Sequence, residues 1–333
     1  MLEKSVRRAI HVKLGILQFF SWPERRGPLP TVFERALQRI EIMERSGYHA
    51  VWLTEHHFSD YSVCPSIPVM GAYAAARTKR LRIGAAVTLA GLYHPVRLAE
   101  EIALLDVLSG GRVNWGAGRG FDPREFQAFG VPANETHARF REAVEIVMRA
   151  WSNPRLSFRG RFHSFEDLEV LPKPLQQPHP PAWMAASTDD AIRWAAAAGH
   201  SILMSPHPTH AEIGEQRALY QRELEGHGHS IEGREIPVAR LIAIAPTDAE
   251  AKNVAADGVR WLLKTYVNPG GRGDPKEMLQ RYLDSVVLHG TAEAVLETIL
   301  RLREEIHLDS LIGAPLSHHT FLSLTDRVLP KLG

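Results

Sequence analysis

The stretch VWLTEHHF, residues 51–58, begins with apolar side chains and ends on three ionisable ones, Glu55, His56 and His57. An apolar run of this kind predicts a buried strand, and the polar residues mark its carboxyl end. In α/β barrels the active site lies at the carboxyl ends of the strands. A single polar residue there would only show where a strand meets water, but three ionisable groups in succession favour a functional site.

On both sides of this stretch, short apolar runs alternate with amphipathic segments. Residues 31–46 have the apolar spacing of a helix that ends at Gly47, and further helices are predicted at 66–78, 95–108 and 136–151. Strands alternating with helices predict parallel pairing and right-handed crossovers, and eight such units predict one (β/α)8 TIM barrel over residues 1–333. An open doubly wound sheet is the alternative. The predicted strands cover residues 11–20, 50–54, 81–89, 112–118, 182–186, 201–205, 238–245 and 308–314.

Two segments interrupt this alternation. Residues 152–181, after the fourth strand, contain a glycine turn and then a proline-rich run, which predicts a small hairpin followed by an extended strap. Residues 264–290, before the eighth strand, contain NPGGRGDP. A connection that long and that rich in glycine and proline is typical of a lid, so we expect this segment to be mobile until a ligand binds.

Composition excludes several classes of protein. Lys and Arg (39) balance Asp and Glu (38) in the 333 residues, so no overall field attracts nucleic acid or an anionic membrane. Cys64 is the only cysteine, which excludes an intramolecular disulfide and a cysteine-based zinc site. The run LGILQFF (14–20) resembles a signal peptide only superficially, and no stretch reaches the roughly 18 apolar residues of a membrane span. We expect a soluble cytoplasmic protein.

A metal site is not predicted, because adjacent residues of a strand point to opposite faces and His56 and His57 would not readily share one ion. The run GAGRG (116–120) lacks the spacing of a dinucleotide fingerprint. Its glycines would instead let a flat ligand approach the backbone, and Arg119 offers a cation for a phosphate. Ser187 and Thr188 precede a helix, where they would either hold phosphate or simply cap the helix.

Several motifs occur in the order found in a known family. VWLTEHHF, IGAAVTLAGLYHPVRLAEEIALLDVLSGGR, GAGRG with FGVP, AASTDDAIRWAAAAG and VLHGTAEAVLETILRL together resemble the bacterial luciferase-like, flavin-dependent monooxygenases. The resemblance covers most of the chain. The Glu-His-His run places it nearer the luciferases and limonene monooxygenases than the deazaflavin-dependent reductases.

The resemblance implies a homodimeric barrel that binds reduced FMN without a covalent bond. A separate NAD(P)H:flavin reductase would supply the reduced flavin, and FMN is favoured over the deazaflavin F420. Reduced flavin would take up O₂ as a C4a-hydroperoxide and oxygenate a small organic substrate. Aromatic residues near the strand ends suggest that this substrate is apolar, although they would serve equally well in a core; they are Phe19, Phe20, Trp22, Tyr93 and Trp115.

The resemblance also assigns roles to particular residues. His56 would be the catalytic acid or base, with a pKa near the working pH, and Glu55 and His57 would fix its orientation. The backbone at Ala86–Val87 would bend beneath the flavin and can be a cis peptide in this family. Gly118 stands where luciferase has a reactive cysteine, so light emission is not implied. The residues implied to bind the cofactor are Ala86, Val87, Gly118, Arg119, Arg139, Ser187 and Thr188, with His137 nearer in register than Arg139.

Two other functions remain open from the sequence. One is a flavin- or deazaflavin-dependent reductase or dehydrogenase on the same barrel. The other is a non-catalytic flavin-binding subunit, against which the intact run Glu55, His56 and His57 argues.

Overall fold

The computed structural model describes residues 12–267 and 273–333. Its strands are β1 (Lys13–Gln18), β2 (Ala50–Leu53), β3 (Arg82–Ala85), β4 (Thr88–Leu89), β5 (Val113–Gly118), β6 (Leu156–Arg159), β7 (Ser164–Leu168), β8 (Ala182–Ala185), β9 (Ser201–Leu203), β10 (Val238–Ile244), β11 (Leu288–Gly290) and β12 (Ser310–Pro315). Its α-helices are α1 (Pro30–Ser46), α2 (Ile67–Arg77), α3 (Pro95–Ser109), α4 (Pro123–Ala128), α5 (Thr136–Ser152), α6 (Asp189–Ala197), α7 (His210–Gly226), α8 (Asp248–Leu262), α9 (Pro275–Ser285), α10 (Ala292–Ile306) and α11 (His318–Ser323). Shorter helical turns cover Pro23–Arg25, Ala90–Leu92, Leu263–Val267, Leu324–Val328 and Leu329–Lys331.

The chain forms two compact units. Unit two comprises residues 17–186 and 200–203, and unit one comprises the described residues before 17 together with 187–199, 204–267 and 273–333. In unit two, β2, β3, β5, β8 and β9 lie side by side in that order, and their pairing is parallel. Strand β4 pairs with β5 so that Leu89 lies opposite Gly118. The strands therefore follow chain order, as successive βα units predict.

Unit one contains the other parallel pairings. Strand β10 lies between β11 and β12, and β12 pairs with the first residues of β1. A single bridge joins Met204 to Val238 at the start of β10. Strand β12, near the end of the chain, thus pairs with β1, the first strand.

Most helices begin at a side-chain cap. Ser66 caps α2, Thr209 and Thr247 form capping boxes at α7 and α8, and Thr291 caps α10. Each cap accepts a hydrogen bond from an otherwise unpaired N–H of the first turn, which fixes where the helix starts and where the preceding loop ends. None of the helices within the described ranges combines the length and the apolar character needed to cross a membrane.

All eight predicted strands are present, with ends shifted by up to a few residues. The predicted strand at 81–89 is divided into β3 and β4 at residues 86–87. The hairpin predicted within 152–181 is the antiparallel pair β6–β7. Sequence reasoning missed α4, with six residues, and β11, with three, because neither is long enough for its apolar pattern to repeat.

The expectation of an extended loop at 264–290 is wrong for most of that segment. Residues 275–285 form α9 and residues 288–290 form β11, which pairs with β10. Asp274 caps α9 and Pro275 occupies its first turn, so the sequence DP starts a helix here instead of prolonging a loop. The tip of the predicted lid, residues 268–272, lies outside the described residues.

Candidate functional site

Glu55 is a buried carboxylic acid just beyond β2. Its side chain has no solvent exposure, Oε1 lies 3.2 Å from Nε2 of His57, and Oε2 accepts a hydrogen bond from the Leu89 N–H at 3.4 Å. Tyr93 contributes a further side-chain hydrogen bond. Burial raises the pKa of Glu55, and the hydrogen bonds from His57, Tyr93 and Leu89 offset only part of that effect. The carboxyl ends of β2 and β4 thus meet at one acid.

His57 is held from two directions. Its ring contacts Glu55, while its backbone N–H donates to Oε1 of Glu125 at 3.0 Å. Glu125 lies in α4 and is buried, and burial raises its pKa. Helix α4 begins at Asp122, whose side chain accepts from the Arg124 N–H. The Asp-Pro pair at 122–123 is the sequence signal that would have located this helix and its glutamate.

His56 is only partly exposed, and its environment differs from the expected one. Its backbone N–H donates to the Cys64 carbonyl at 3.1 Å, and its ring packs edge-on against Tyr61 at 5.3 Å. Burial, reinforced by His57, lowers the pKa of His56 to about 4, and Asp122 counteracts this only in part. The expectation of a pKa near neutral pH is therefore wrong for this state of the protein, and the imidazole is neutral at pH 7.

The expected orientation of the three residues also needs correction. The Glu55 carboxylate contacts the ring of His57, whereas the resemblance had implied that it orients His56. Residues 55 and 57 share one side of an extended chain and residue 56 faces the other side, which explains the pairing. Cys64 is buried, and burial raises the pKa of its thiol to about 12. A buried thiol that stays protonated is a poor nucleophile, so Cys64 has a structural role.

The peptide bond between Ala86 and Val87 is cis, as the resemblance allowed. Val87 occupies the space beside Gly118, where an added Cβ would lie 2.3 Å from Val87 Cγ2. A Cβ on Gly116 would lie 2.1 Å from the Ala85 carbonyl oxygen. These glycines of GAGRG therefore let β5 pack closely against residues 85–87, a reason for glycine that does not require a bound ligand.

Arg119 directly follows β5 and is half-buried. Its Nη1 donates to Oγ1 of Thr136 at 3.3 Å, and its guanidinium lies 5.9 Å from the centre of the Phe126 ring. Burial lowers the pKa of this guanidinium. Within residues 12–267 and 273–333 no carboxylate forms an ion pair with Arg119. The site thus contains a cation whose charge its described neighbours leave uncompensated.

Arg139 has a different environment. Its Nε and Nη2 both donate to Oε2 of Glu135, at 2.9 and 2.8 Å, and its guanidinium stacks 4.2 Å from the centre of the Phe162 ring. Arg161 pairs with the same glutamate through Oε1 at 3.1 Å. Arg139 is therefore already neutralised, which makes it a weaker candidate for a phosphate than Arg119.

Ser187 and Thr188 belong to unit one. Both are exposed, and Thr188 caps α6 by accepting from the Ala191 N–H at 3.3 Å. Asp189 and Asp190 occupy the first turn of α6. Two carboxylates at this helix end favour the helix itself and oppose a phosphate dianion, so capping accounts for these residues by itself.

The aromatic residues near the strand ends divide into core and surface. Phe20 and Trp115 are fully buried and belong to the core. Two aromatic residues that were not predicted to line the site are exposed: Phe58 is 61% exposed and Phe129 is 43% exposed. The ring of Phe129 packs edge-on against His57 at 4.8 Å. In residues 12–267 and 273–333, no group of three or more His, Cys, Asp or Glu side chains is placed to hold a metal ion.

A parallel α/β fold with acid–base groups at the carboxyl ends of its strands is the arrangement of the α/β-barrel enzymes. Residues 13–309 match the model of the luciferase-like monooxygenases, and the chain belongs to that family.

Two curated relatives show how similar the chain is to other members. The uncharacterized protein y4wF of Sinorhizobium fredii is 36% identical over 59% of this chain and 58% of its own length. The oxygenase component of the flavin-dependent trigonelline monooxygenase of Acinetobacter baylyi is 29% identical over 67% of this chain and 62% of its own length. The aligned chain thus spans less than two thirds of each of these proteins.

Solved structures share the fold over almost the whole chain. Monooxygenase RslO1 from Streptomyces bottropensis has a TM-score of 0.86 and 27% identity, covering 97% of this chain and all of that one. The oxygenating constituent of 3,6-diketocamphane monooxygenase of Pseudomonas putida, in complex with FMN, has a TM-score of 0.80 and 18% identity, covering 98% and 99%. An F420-dependent secondary alcohol dehydrogenase has a TM-score of 0.79 and 16% identity, covering 97% and 99%. The last two likenesses concern the fold alone.

Proposed function

We propose that this chain is the oxygenase of a two-component flavin system. It would take reduced FMN from a separate NAD(P)H:flavin reductase and use O₂ to oxygenate a small, apolar organic substrate. Family membership supports flavin-dependent oxidoreductase chemistry, and a relative described as a flavin-dependent oxygenase component supports the two-component arrangement. The observation that carries the proposal is the buried Glu55–His57 pair beside a neutral His56 at the carboxyl ends of β2 and β4.

The residues of unit two fit a flavin mononucleotide. A phosphate requires a cation that is not already neutralised, and Arg119 meets this condition whereas Arg139 does not. We assign the phosphate to Arg119 and the isoalloxazine ring to the backbone at Ala86, Val87 and Gly118. The fork of Arg119, fixed beside Thr136 and Phe126, would hold the phosphate in one orientation. Ser187 and Thr188 remain secondary candidates because of the aspartates beside them.

Bound reduced flavin supplies the two electrons that allow one atom of O₂ to enter the substrate and the other to leave as water. Side chains of this protein accept and donate the protons of the reaction. His56, neutral at pH 7, accepts a proton at a ring nitrogen and returns it, as a general base and then a general acid. The carboxyl group of Glu55 contacts Nε2 of His57 and fixes the orientation of that ring.

The supporting residues keep this arrangement rigid. Glu125 fixes the backbone of His57, and Tyr93 donates to Glu55 from the turn after β4. The exposed rings of Phe58 and Phe129 beside His57 offer an apolar surface of the kind that an apolar substrate would contact. A rim that combines apolar rings with few polar groups is typical of sites for small organic molecules.

The experiment that tests the function compares cofactors in the presence and absence of O₂. Purified protein is mixed with photoreduced FMN or reduced F420, and binding, oxygen uptake and peroxide release are recorded. The proposal predicts that reduced FMN binds and that oxygen is consumed faster than by free reduced FMN. Binding of reduced F420 with no oxygen uptake would establish the reductase alternative instead, and binding of reduced FMN with no faster oxygen uptake would indicate a non-catalytic flavin-binding subunit.

A further inference from the structure

Arg240 is a cation inside unit one that the proposed flavin chemistry does not use. It lies in the middle of β10, and its side chain is fully buried. Its Nη1 donates to the carbonyl oxygens of Pro208 and Pro206, at 2.8 and 3.4 Å. One nitrogen of the guanidinium therefore donates its hydrogen bonds to the loop after β9.

The other two nitrogens of Arg240 lack partners. Nε and Nη2 are both buried and, among the residues the structure describes, neither has a hydrogen-bond acceptor. These two nitrogens form one edge of the planar guanidinium, with parallel N–H groups that match the two oxygens of a carboxylate or oxyanion. A buried charge with two unmade hydrogen bonds is costly, so this edge calls for an acceptor.

The acid whose charge acts on Arg240 does not fill this role. Glu212 raises the pKa of Arg240 only as a minor counterweight to burial, which lowers it to about 9. Its side chain is 45% exposed, and its Oε2 already accepts from Arg281 and from the Thr209 N–H, both at 2.6 Å. The negative charge of Glu212 is thus directed to the surface of unit one and to the start of α7.

The remaining polar groups around Arg240 are neutral or cationic. Burial and then the charge of Arg240 lower the pKa values of His207 and His210 to about 4, and Nε2 of His210 is buried without a partner among the described residues. Tyr282 Oη lies 3.0 Å from Nδ1 of His207. The titratable or charged groups that face this cluster are His207, His210, Glu212, Arg281, Tyr282 and Arg301.

We propose that unit one binds a small carboxylate or oxyanion on the Nε–Nη2 edge of Arg240, with His210 as the adjoining group. The anion would accept both N–H bonds of the fork and compensate the buried charge. His210 would take up a proton on binding, because its Nε2 then becomes a third donor toward the anion. The site lies in unit one and does not rest on the proposed oxygenase function.

The test is a titration of the whole protein with formate, acetate, phosphate and sulfate at constant ionic strength, with chloride as the reference salt. We expect a saturable rise in Tm of at least about 2 °C for the preferred anion. Chloride should give less, because a carboxylate or oxyanion offers a separate oxygen to each of the two parallel N–H groups. Preference for formate or acetate would identify an organic carboxylate as the ligand, and preference for phosphate or sulfate an inorganic oxyanion. The response should be larger at pH 6 than at pH 8, and His210→Gln should remove that difference.

Arg240→Lys keeps the charge but loses the fork, and should abolish the saturable response. The matched control is Arg112→Lys, because every nitrogen of Arg112 already donates to protein oxygens. This control should lower stability yet keep the anion response. Equal, non-saturating effects of all salts on the wild-type protein would overturn the proposal, and so would a saturable response that survives in Arg240→Lys. If the Arg240 variant fails to fold, His210→Gln keeps the proposal testable, because a pH difference that survives in that variant would also overturn it.

Discussion

Nε2 of His57 lies 3.2 Å from Oε1 of Glu55, two positions earlier in the chain. Burial raises the pKa of Glu55, and its carboxyl group contacts the ring of His57. His56 lies on the opposite side of the chain. The three consecutive ionisable residues thus divide into a pair and a single base.

The first prediction concerns Glu55→Gln. Because the folded protein raises the pKa of Glu55, it favours the protonated acid, and that contribution to stability is lost as the pH rises above the unfolded value near 4.5. Glutamine stays neutral, so the variant should unfold at higher urea than the wild type at pH 8 and at similar urea near pH 4. Oxygenation should fall, since the amide places an NH₂ donor or a different acceptor where the carboxyl group now contacts His57.

Glu142→Gln is the control with the opposite sign. Although burial raises its pKa, hydrogen bonds from His163 and from the N–H groups of residues 161 and 162 hold the pKa of Glu142 below its usual value. This variant should be less stable than the wild type at pH 8. If Glu55→Gln behaved in the same way, the argument that burial dominates at Glu55 would fail.

The second prediction concerns His56. With a pKa of about 4 the ring is neutral through the physiological range, so kcat/KM should show no histidine limb near pH 6.5 and should decline only toward pH 4. His56→Ala should lower oxygenation of the best substrate in a screen of small apolar compounds by about 10²–10⁴-fold, with peroxide released instead. His57→Ala should have a smaller effect. If His56→Ala left the ratio of product to peroxide unchanged, His56 would not be the catalytic base.

How far the sequence determined this site can be judged from particular residues. The run at 55–57 indicated an acid–base group because the three ionisable residues are adjacent. Side chains of an extended chain alternate between its two sides, so Glu55 and His57 are expected on the same side. Glu125 lies 68 residues after His57 and Tyr93 follows a different strand, so only folding brings them to the site. Helix α4 could have been found from Asp122 and Pro123, but β11 has only three residues and no periodicity.

Charge pairing also limited what the sequence could predict about the phosphate ligands. Arg119, Arg139 and Thr188 were all candidate phosphate ligands from the sequence, because each is a donor near a strand or helix end. The contacts separate them: Glu135 neutralises Arg139 and two aspartates follow Thr188, whereas Arg119 meets a hydroxyl and a ring. The i,i+4 spacing of Glu135 and Arg139 and the aspartates after Thr188 are visible in the sequence, whereas the neighbours of Arg119 are known only from the fold.

The third prediction uses that difference. A charge-assisted contact to phosphate contributes roughly 1.5–3 kcal/mol, so Arg119→Ala should weaken FMN binding about 10- to 100-fold. Arg139→Ala is the matched control and should change the affinity less than about threefold, because Glu135 already uses its charge. Quenching of flavin fluorescence measures both. Equal losses in the two variants would contradict the assignment.

The fourth prediction concerns the expected homodimer. Helices α2 and α3 of unit two carry exposed apolar side chains: Val69 is 72% exposed, Tyr73 46%, Leu104 47% and Leu108 60%. Clustered exposed apolar residues mark interaction surfaces, so Leu108→Glu should convert a dimer to a monomer in light scattering after gel filtration. Leu175→Glu, at a residue 58% exposed outside these helices, should leave the dimer intact. Dissociation by both variants would point to unfolding.

The last prediction concerns the contact between β5 and the cis peptide. A Cβ on Gly118 would lie 2.3 Å from Cγ2 and 3.3 Å from Cβ of Val87, so Gly118→Ala forces one of the two segments to move. Overpacking of this kind costs about 1–3 kcal/mol, which urea unfolding would detect as a lower midpoint. Adding Val87→Ala to the same chain removes the obstructing methyl groups and should recover most of the loss.

Gly226→Ala serves as the control for this series. An added Cβ there meets nothing within 4 Å, and the residue ends α7, so the change should be neutral or stabilising by up to about 1 kcal/mol. If Gly118→Ala were as well tolerated as Gly226→Ala, the close approach to Val87 would not explain the glycine. The remaining reason for glycine at position 118 would then be that it lets a bound flavin approach the backbone. Failure of Val87→Ala to rescue a destabilised Gly118→Ala would instead place the clash elsewhere on β5.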